Sequence, residues 1–162
     1  MRKIYLAFVI LTCSLVCNTQ LKAQEIGAGI RLSSQAGFTG KFFLDQQQAI
    51  EAQLNFNGYG YDLVGLYEYH MELSAPEWRW YFGGGAHLGT WNHAGVNATL
   101  IGIDGIIGIE YLIQSVPIGI SVDFKPAFDF SNYADNFIAH NTIGIAGRYY
   151  FKRHAAAKPA AK

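Results

Sequence analysis

The stretch T-I-G-I-A-G-R-Y-Y-F, residues 142–151, alternates between two kinds of side chain. One face carries Ile143, Ile145, Gly147, Tyr149 and Phe151. The other face is small, polar or charged and carries Thr142, Gly144, Ala146, Arg148 and Tyr150. Successive side chains of a strand point to opposite faces, so this pattern is typical of a strand with one apolar side. Such a strand suits either a half-buried soluble sheet or a membrane barrel.

The first 23 residues have the pattern of a secretory signal peptide. Arg2 and Lys3 precede a largely apolar run, and Leu21-Lys22-Ala23 offers a small-residue cleavage site. The apolar run, 4–16, has 13 residues, whereas a membrane-spanning helix needs roughly 20. Both cysteines, Cys13 and Cys17, lie in this leader. A mature chain that begins at residue 24 therefore has no disulfide and no thiol chemistry.

Eight alternating segments follow the leader, each bounded by turn residues. They cover residues 25–33, 36–42, 50–57, 63–72, 78–88, 101–113, 118–129 and about 137–151. None of them approaches the length of a membrane helix. An exported chain built in this way is either a soluble β-protein or a β-barrel of the membrane.

The charged residues decide between these two alternatives. They make up only 15% of the chain, and between residues 25 and 151 each falls on a polar face or in a turn. In a soluble barrel the polar face would meet water and be crowded with Lys and Glu, but here it is rich in glycine. A narrow eight-stranded barrel has an interior that side chains fill, so small inward residues must alternate with large ones. Aromatic residues also collect near the segment ends, as expected at the two membrane interfaces. The sequence therefore predicts an all-β fold, an antiparallel up-and-down eight-stranded transmembrane β-barrel over 24–151.

On these features the chain resembles the small eight-stranded outer-membrane β-barrels of Gram-negative bacteria, the porin-like and OmpA-like barrels. Residues 143–151 are similar to the C-terminal assembly signal of that family, with Phe151 as the last aromatic and Tyr149 two before it. The family has a glycine five residues before the last aromatic, where this chain has Ala146. The leader exit Leu-Lys-Ala-Gln is similar to those of Bacteroidota exported proteins. The resemblance implies the cell outer membrane as location, with outer-membrane lipid, lipopolysaccharide and the barrel-assembly machinery as partners.

The inward faces carry nine acids and five bases. In a confined lumen such groups must pair or bind water. Twelve inward residues are assigned to a lumen charge network: Arg31, Lys41, Glu51, Glu68, His70, Arg79, His87, Asp104, Glu110, Asp123, Lys125 and Arg148. The sequence favours an ionic plug that keeps the barrel closed, with a structural or loop-mediated binding role. The excess of acids leaves open a narrow cation-preferring channel.

A lipid A-modifying enzyme is a further alternative, because some small outer-membrane barrels of this kind act on lipid A with a His and a Ser two residues apart. His140 and Thr142 are the comparable pair here, but threonine replaces serine and strand parity turns both into the lumen. The sequence therefore predicts no enzyme. The five histidines show no spacing typical of a metal site, and neither a cofactor nor nucleic acid is expected.

Two segments outside the predicted strands complete the sequence. The connection 89–97 is the longest, and Trp91, Asn92 and His93 are its candidates for contact with other molecules. The last eleven residues, 152–162, contain four bases among alanines and one proline. Their composition predicts a disordered basic periplasmic tail, either simply solvated or touching anionic cell-wall polymer. The oligomeric state is left open.

Overall fold

The computed structural model describes residues 25–75, 77–93, 96–130 and 143–152. Within these ranges it contains β1 (Ile26–Leu32), β2 (Ala36–Phe43), β3 (Gln48–Asn57), β4 (Gly60–Glu72), β5 (Trp78–His93), β6 (Val96–Leu112), β7 (Ile118–Phe124), β8 (Ala127–Asp129) and β9 (Ile143–Lys152). The predicted leader 1–23, the predicted strand portion 137–142 and the tail beyond Lys152 lie outside the described residues.

The strands close into one antiparallel barrel. Each strand from β1 to β6 pairs with the next, β6 pairs with β7, and β9 pairs with both β7 and β1. The short strand β8 also pairs with β6, beyond the end of β7, so β7 and β8 together occupy one position in the wall. The barrel therefore has eight positions, which confirms the predicted fold class. Among the described residues, the pairing of β9 with both β7 and β1 closes the sheet, so neither β1 nor β7 is left as a free edge.

The predicted seventh strand, 118–129, is broken in the structure. β7 ends at Phe124 and β8 begins at Ala127, with Lys125 and Pro126 between them. Proline has no N–H to give to a ladder and is confined to strand edges and irregularities. The Pro126 carbonyl still accepts a hydrogen bond from the Gly105 N–H of β6 at 2.9 Å. The break therefore interrupts the strand while keeping its two parts in the same position of the wall.

The prediction of a long connection over 89–97 is wrong. β5 and β6 continue as a paired ladder through Thr90 opposite Thr99, Trp91 opposite Ala98, and Asn92 opposite Asn97. β-branched and aromatic residues favour extended pairing, which explains why strands form where the sequence interpretation saw a loop. Trp91, Asn92 and His93 therefore belong to the end of β5.

The outer surface of the barrel is almost entirely apolar. Large hydrophobic side chains that point outward are exposed along every long strand, including Ile30, Phe38, Leu54, Leu63, Leu88, Ile103, Ile107, Ile120, Ile145 and Phe151. A soluble monomer rarely exposes apolar patches of more than a few hundred Å². The predicted alternation, with apolar residues on one face and charges on the other, is the arrangement found in the structure.

Aromatic side chains concentrate at both ends of this apolar surface. At the end where β1 begins and β9 finishes, which we call the proximal end, the rings of Trp78 and Tyr111 are 4.8 Å apart and those of Tyr149 and Phe151 are 5.2 Å apart. At the opposite, distal end, Phe38 and Phe56 meet edge to face at 6.5 Å. These two groups match the interfacial girdles of a membrane barrel. Separately, the described part of the chain contains no helix long and apolar enough to cross a membrane.

Candidate functional site

All twelve residues of the predicted lumen charge network point into the barrel. Eleven of them are buried, and the His87 side chain is 8% exposed. Their backbones come from β1 to β7, from the break after β7, and from β9. Barrel closure therefore brings together groups that are up to 109 residues apart in sequence, as between Thr39 and Arg148.

The proximal cluster is centred on Arg79. Its Nε donates to Glu110 Oε2 at 2.6 Å and its Nη2 to Glu25 Oε1 at 3.2 Å. The hydroxyl of Tyr150 donates to the other oxygen of Glu110 at 2.6 Å. The Arg79 guanidinium also lies over the Phe43 ring, 4.5 Å from its centroid, a favourable cation–π geometry.

The central cluster joins Lys41, Glu51, Glu68 and Arg148. Lys41 Nζ lies 2.9 Å from Glu51 and 2.7 Å from Glu68, and Arg148 Nη2 reaches both oxygens of Glu51 at 2.8 and 2.9 Å. The remaining guanidinium nitrogens donate to Ser121 at 2.8 Å and Thr39 at 3.3 Å. All four charged side chains are fully buried, so the cluster combines charge pairing with hydrogen bonding, which a buried ion pair requires.

A link between strands β1 and β7 is formed by Arg31 and Asp123. Arg31 Nη2 contacts one carboxylate oxygen and Nε lies 3.4 Å from the other, so the pair has the two-point geometry typical of arginine and carboxylate. The hydroxyl of Tyr81 lies 3.5 Å from the same carboxylate. Tyr81 in turn stacks on His70, and His70 Nε2 lies 2.9 Å from Glu68. Through these contacts Asp123 is connected to the central cluster.

The distal cluster is built around His87. Its Nδ1 lies 2.8 Å from Asp104 and its Nε2 lies 2.7 Å from Asp129. Lys125, from the break between β7 and β8, is 3.6 Å from Asp104. This cluster is less enclosed than the central one, because the His87 and Asp129 side chains are 8% and 11% exposed.

Inward glycines make room for these large side chains. A Cβ on Gly108 would lie 2.5 Å from Tyr81 Cζ, and one on Gly119 would lie 2.8 Å from both Glu110 and Tyr150. A Cβ on Gly144 would collide with the Arg31 guanidinium. The glycines of the polar face thus provide the space that the network occupies.

Part of the lumen is apolar, and four of its residues were not assigned to the lumen from the sequence: Phe43, Ala49, Ile106 and Leu112. Val64, Leu66, Tyr81 and Ile106 form one buried group on β4, β5 and β6. A second group lies toward the proximal end and contains Phe43, Ala49, Leu112 and Tyr150. The parity of β4 already placed Val64 and Leu66 on the inward face. For Phe43 and Leu112 the same parity rule works once the strand ends are known.

The remaining residues singled out in the sequence lie at the ends of β9 and β5 or outside the described residues. Tyr149 and Phe151 point outward at the end of β9. The backbone N–H of Asn92 donates to the Tyr59 carbonyl at 2.7 Å, which holds the β5–β6 hairpin against the β3–β4 turn. His140 and Thr142 lie outside the described residues. Within the described ranges, no three His, Asp or Glu side chains are grouped to hold a metal ion.

The ion pairs of the lumen connect strands around the barrel wall. Each of the five lumenal bases contacts at least one carboxylate. Some of these pairs join neighbouring strands, as Lys41 with its direct ladder partner Glu51. Others join strands that are not neighbours in the sheet: Arg31 connects β1 to β7, and Arg148 connects β9 to β3 through Glu51. The network therefore links strands both along the ladders and across the lumen.

No protein-family model matches the chain, and a search of curated proteins finds no match. Among solved structures, the N-terminal β-barrel domain of Pseudomonas aeruginosa OprF is similar, with 12% identity and a TM-score of 0.62, over 79% of this chain and 96% of that domain. Neisserial surface protein A (NspA) matches with 11% identity and a TM-score of 0.41, over 78% of this chain and 90% of that protein. The OprF likeness, at this identity, concerns the fold. The chain therefore has the fold of the small eight-stranded outer-membrane β-barrels, as its sequence resemblance predicts.

Proposed function

We propose that this protein is an integral outer-membrane β-barrel whose lumen is plugged by its own charge network, and that its role is structural or depends on binding at its distal end. The observation that carries the proposal is the division between the two faces of the wall. Side chains such as Phe38 and Ile145 are more than half exposed on the outside, whereas Arg31, Glu51 and Arg148 are at most 1% exposed inside. Only a surrounding apolar solvent stabilises that combination.

The proposed orientation places the proximal end in the periplasm, as the sequence resemblance implies. The β3–β4 turn and the end of the β5–β6 hairpin then face the cell exterior. Tyr61 and Asn92 are exposed there, so aromatic, hydroxyl and amide groups lie at this end of the barrel. The proposed surroundings are outer-membrane lipid and lipopolysaccharide, and the barrel-assembly machinery is the proposed partner for insertion.

Membrane integration is tested by extraction and gel mobility. Cells that produce the full chain are fractionated, membranes are washed with alkaline carbonate, and samples are run with and without boiling. We expect the protein to stay in the membrane and to shift mobility on boiling, because a closed barrel resists detergent until heated. Release by carbonate together with identical mobility in both lanes would contradict the proposal and favour a soluble barrel.

Plugging is tested by conductance in planar bilayers. The wild-type protein should give no stable large current, because the paired and fully buried side chains of the central cluster extend into the lumen from β2, β3, β4 and β9. The wild type is compared with Arg148→Ser, which removes the guanidinium that joins Glu51 to Ser121. A steady cation-selective current through the wild type that rises in Arg148→Ser would support the channel alternative instead. An acyl chain lost from lipid A only in cells that produce the protein would support the enzyme alternative.

A further inference from the structure

His87 is held between two carboxylates that belong to different parts of the wall. Nδ1 lies 2.8 Å from Asp104 Oδ2 of β6, and Nε2 lies 2.7 Å from Asp129 Oδ1 of β8. An ionised carboxylate only accepts hydrogen bonds, so both ring nitrogens must donate for both contacts to form. Only the imidazolium form of histidine has two donors. With both carboxylates ionised, the geometry therefore fits the imidazolium form of His87.

The charges around His87 come closest to balance in that form. Val64 and Gly102, which lie directly opposite His87 on β4 and β6, are uncharged. Lys125 approaches Asp104 at 3.6 Å, and Asp62 and Arg31 are the next charged neighbours of Lys125. Arg31 is paired with Asp123, and Asp62 accepts a hydrogen bond from the neutral Asn55. The imidazolium and Lys125 together match Asp104 and Asp129, so Asp62 is the one unmatched charge in this group. A neutral His87 adds a second unmatched negative charge and turns a ring lone pair toward a carboxylate.

Of the two acids, Asp129 has fewer backbone constraints among the described residues. Asp104 lies in the 17-residue strand β6, which is paired with β5 over almost its whole length. Asp129 ends the three-residue strand β8, which follows the break at Pro126 and, within the described parts of the chain, pairs with β6 at three positions. The backbone hydrogen bonds at its two ends are Gly105 N to Pro126 O and Phe130 N to Ile101 O. Short segments with few hydrogen bonds open locally at low free-energy cost.

We propose that His87 is a pH-sensitive latch: its imidazolium holds Asp129 and fastens β8 to the barrel wall, and loss of the proton releases β8 and loosens the distal end of the lumen. Histidine is the side chain suited to this switch, because its proton is exchanged near physiological pH. The proposal is independent of the cellular location and role proposed above.

The test uses the full chain folded in detergent micelles and two nuclear magnetic resonance measurements. Nitrogen spectra of labelled histidine, with His87 assigned by comparison with His87→Gln, should show a doubly protonated ring at about pH 6. Amide exchange is then compared at about pH 6 and about pH 9, after correction for the intrinsic rate. The Phe130 amide should exchange roughly tenfold faster at the higher pH, the change expected from loss of one charge-assisted hydrogen bond. The Phe82 amide, in the middle of β5, should not change.

Two matched variants separate the latch from a general effect of pH. Asp129→Asn should abolish the pH step at Phe130, because an amide can bond to either form of the ring. Asp62→Asn, an acid at the same end that is bonded to Asn55 instead, should keep the step. A neutral His87 ring at about pH 6, equal Phe130 exchange at both pH values, or a step that survives in Asp129→Asn would overturn the proposal. The wild-type Phe130 exchange measurement decides the matter even where a variant fails to fold.

Discussion

The inner and outer faces of the barrel wall are specified in different ways. Inside, the large polar groups have particular partners, such as Arg148 with Glu51 and Ser121. Inward glycines leave the space that the large side chains occupy. Outside, side chains such as Ile103, Ile107 and Ile120 share only their apolar character, and about half of each is exposed. The inner face therefore depends on the identity of each residue, whereas the outer face depends on the class of residue. Four pairs of substitutions test this difference.

The largest effect is expected inside, at the centre of the network. Arg148→Met leaves Glu51 with only Lys41 as a charged partner and should lower the free energy of unfolding by roughly 3–5 kcal/mol, the usual result of breaking a buried ion pair. The control is Lys125→Met, whose contact with Asp104 is longer at 3.6 Å and which should cost less. Urea titration in lipid vesicles measures both. An Arg148→Met protein as stable as the wild type would show that stability does not depend on the ion pair between Arg148 and Glu51.

A pair of adjacent residues compares the two faces at the same depth. Ile107 is 51% exposed on the outside and Ile106 is 4% exposed inside. Ile107→Lys puts a charge in hydrocarbon and should cost about 2–4 kcal/mol near mid-membrane. Ile106→Lys instead points into the lumen, two strands from Glu68 in the same register row. It should cost less than Ile107→Lys, because its ammonium can approach the carboxylate that Lys41 and His70 already contact, whereas hydrocarbon offers no counter-charge. Folding titrations of the two variants should give this order, and the reverse order would invert the assignment of inside and outside.

Glycine substitutions test the fit of the inner face. Gly108→Ala places a methyl group 2.5 Å from Tyr81 Cζ and 2.6 Å from its hydroxyl, so it should destabilise by about 1–3 kcal/mol through overpacking. Gly65 points outward, with nothing within 4 Å of an added Cβ. Gly65→Ala should therefore be neutral or slightly stabilising. Thermal unfolding of the two variants in the same lipid compares their stability. Equal midpoints would mean that the lumen accommodates an added methyl group as well as the exterior does.

The smallest effect on stability is expected for outward aromatics, where assembly is the better measurement. Phe151 and Phe38 are equally exposed, at 65% and 64%, at opposite ends of the barrel. Phe151→Ala and Phe38→Ala should change the free energy of unfolding similarly, because both remove one girdle ring. If residues 149–151 form the assembly signal, only Phe151→Ala should slow the appearance of the heat-modifiable band in a pulse-chase experiment. Equal delay in both variants would leave the signal without support.

The sequence predicts which face a residue occupies far better than where a strand ends. Strand parity placed all twelve network residues inside, because alternation is a local property of extended backbone. It failed at Pro126, where one missing N–H breaks a strand, and at 89–97, where pairing with the neighbouring strand outweighs a loop-like composition. It also passed over Phe43 and Leu112, because both stand at strand ends that are set by the adjacent turns.

The sequence by itself determined the fold class, the two chemistries of the wall and the inward position of the charges, since each follows from a period of two and from the placement of charge and glycine. Only the tertiary structure decided which of the inward charged groups contact one another. Arg31 meets Asp123 of β7, 92 residues away, and Arg148 meets Glu51 of β3, 97 residues away. Such contacts cross the lumen between strands that are not neighbours in the sheet, so no local pattern encodes them. They are fixed by the closure of the barrel, which sets the register of every strand around its axis.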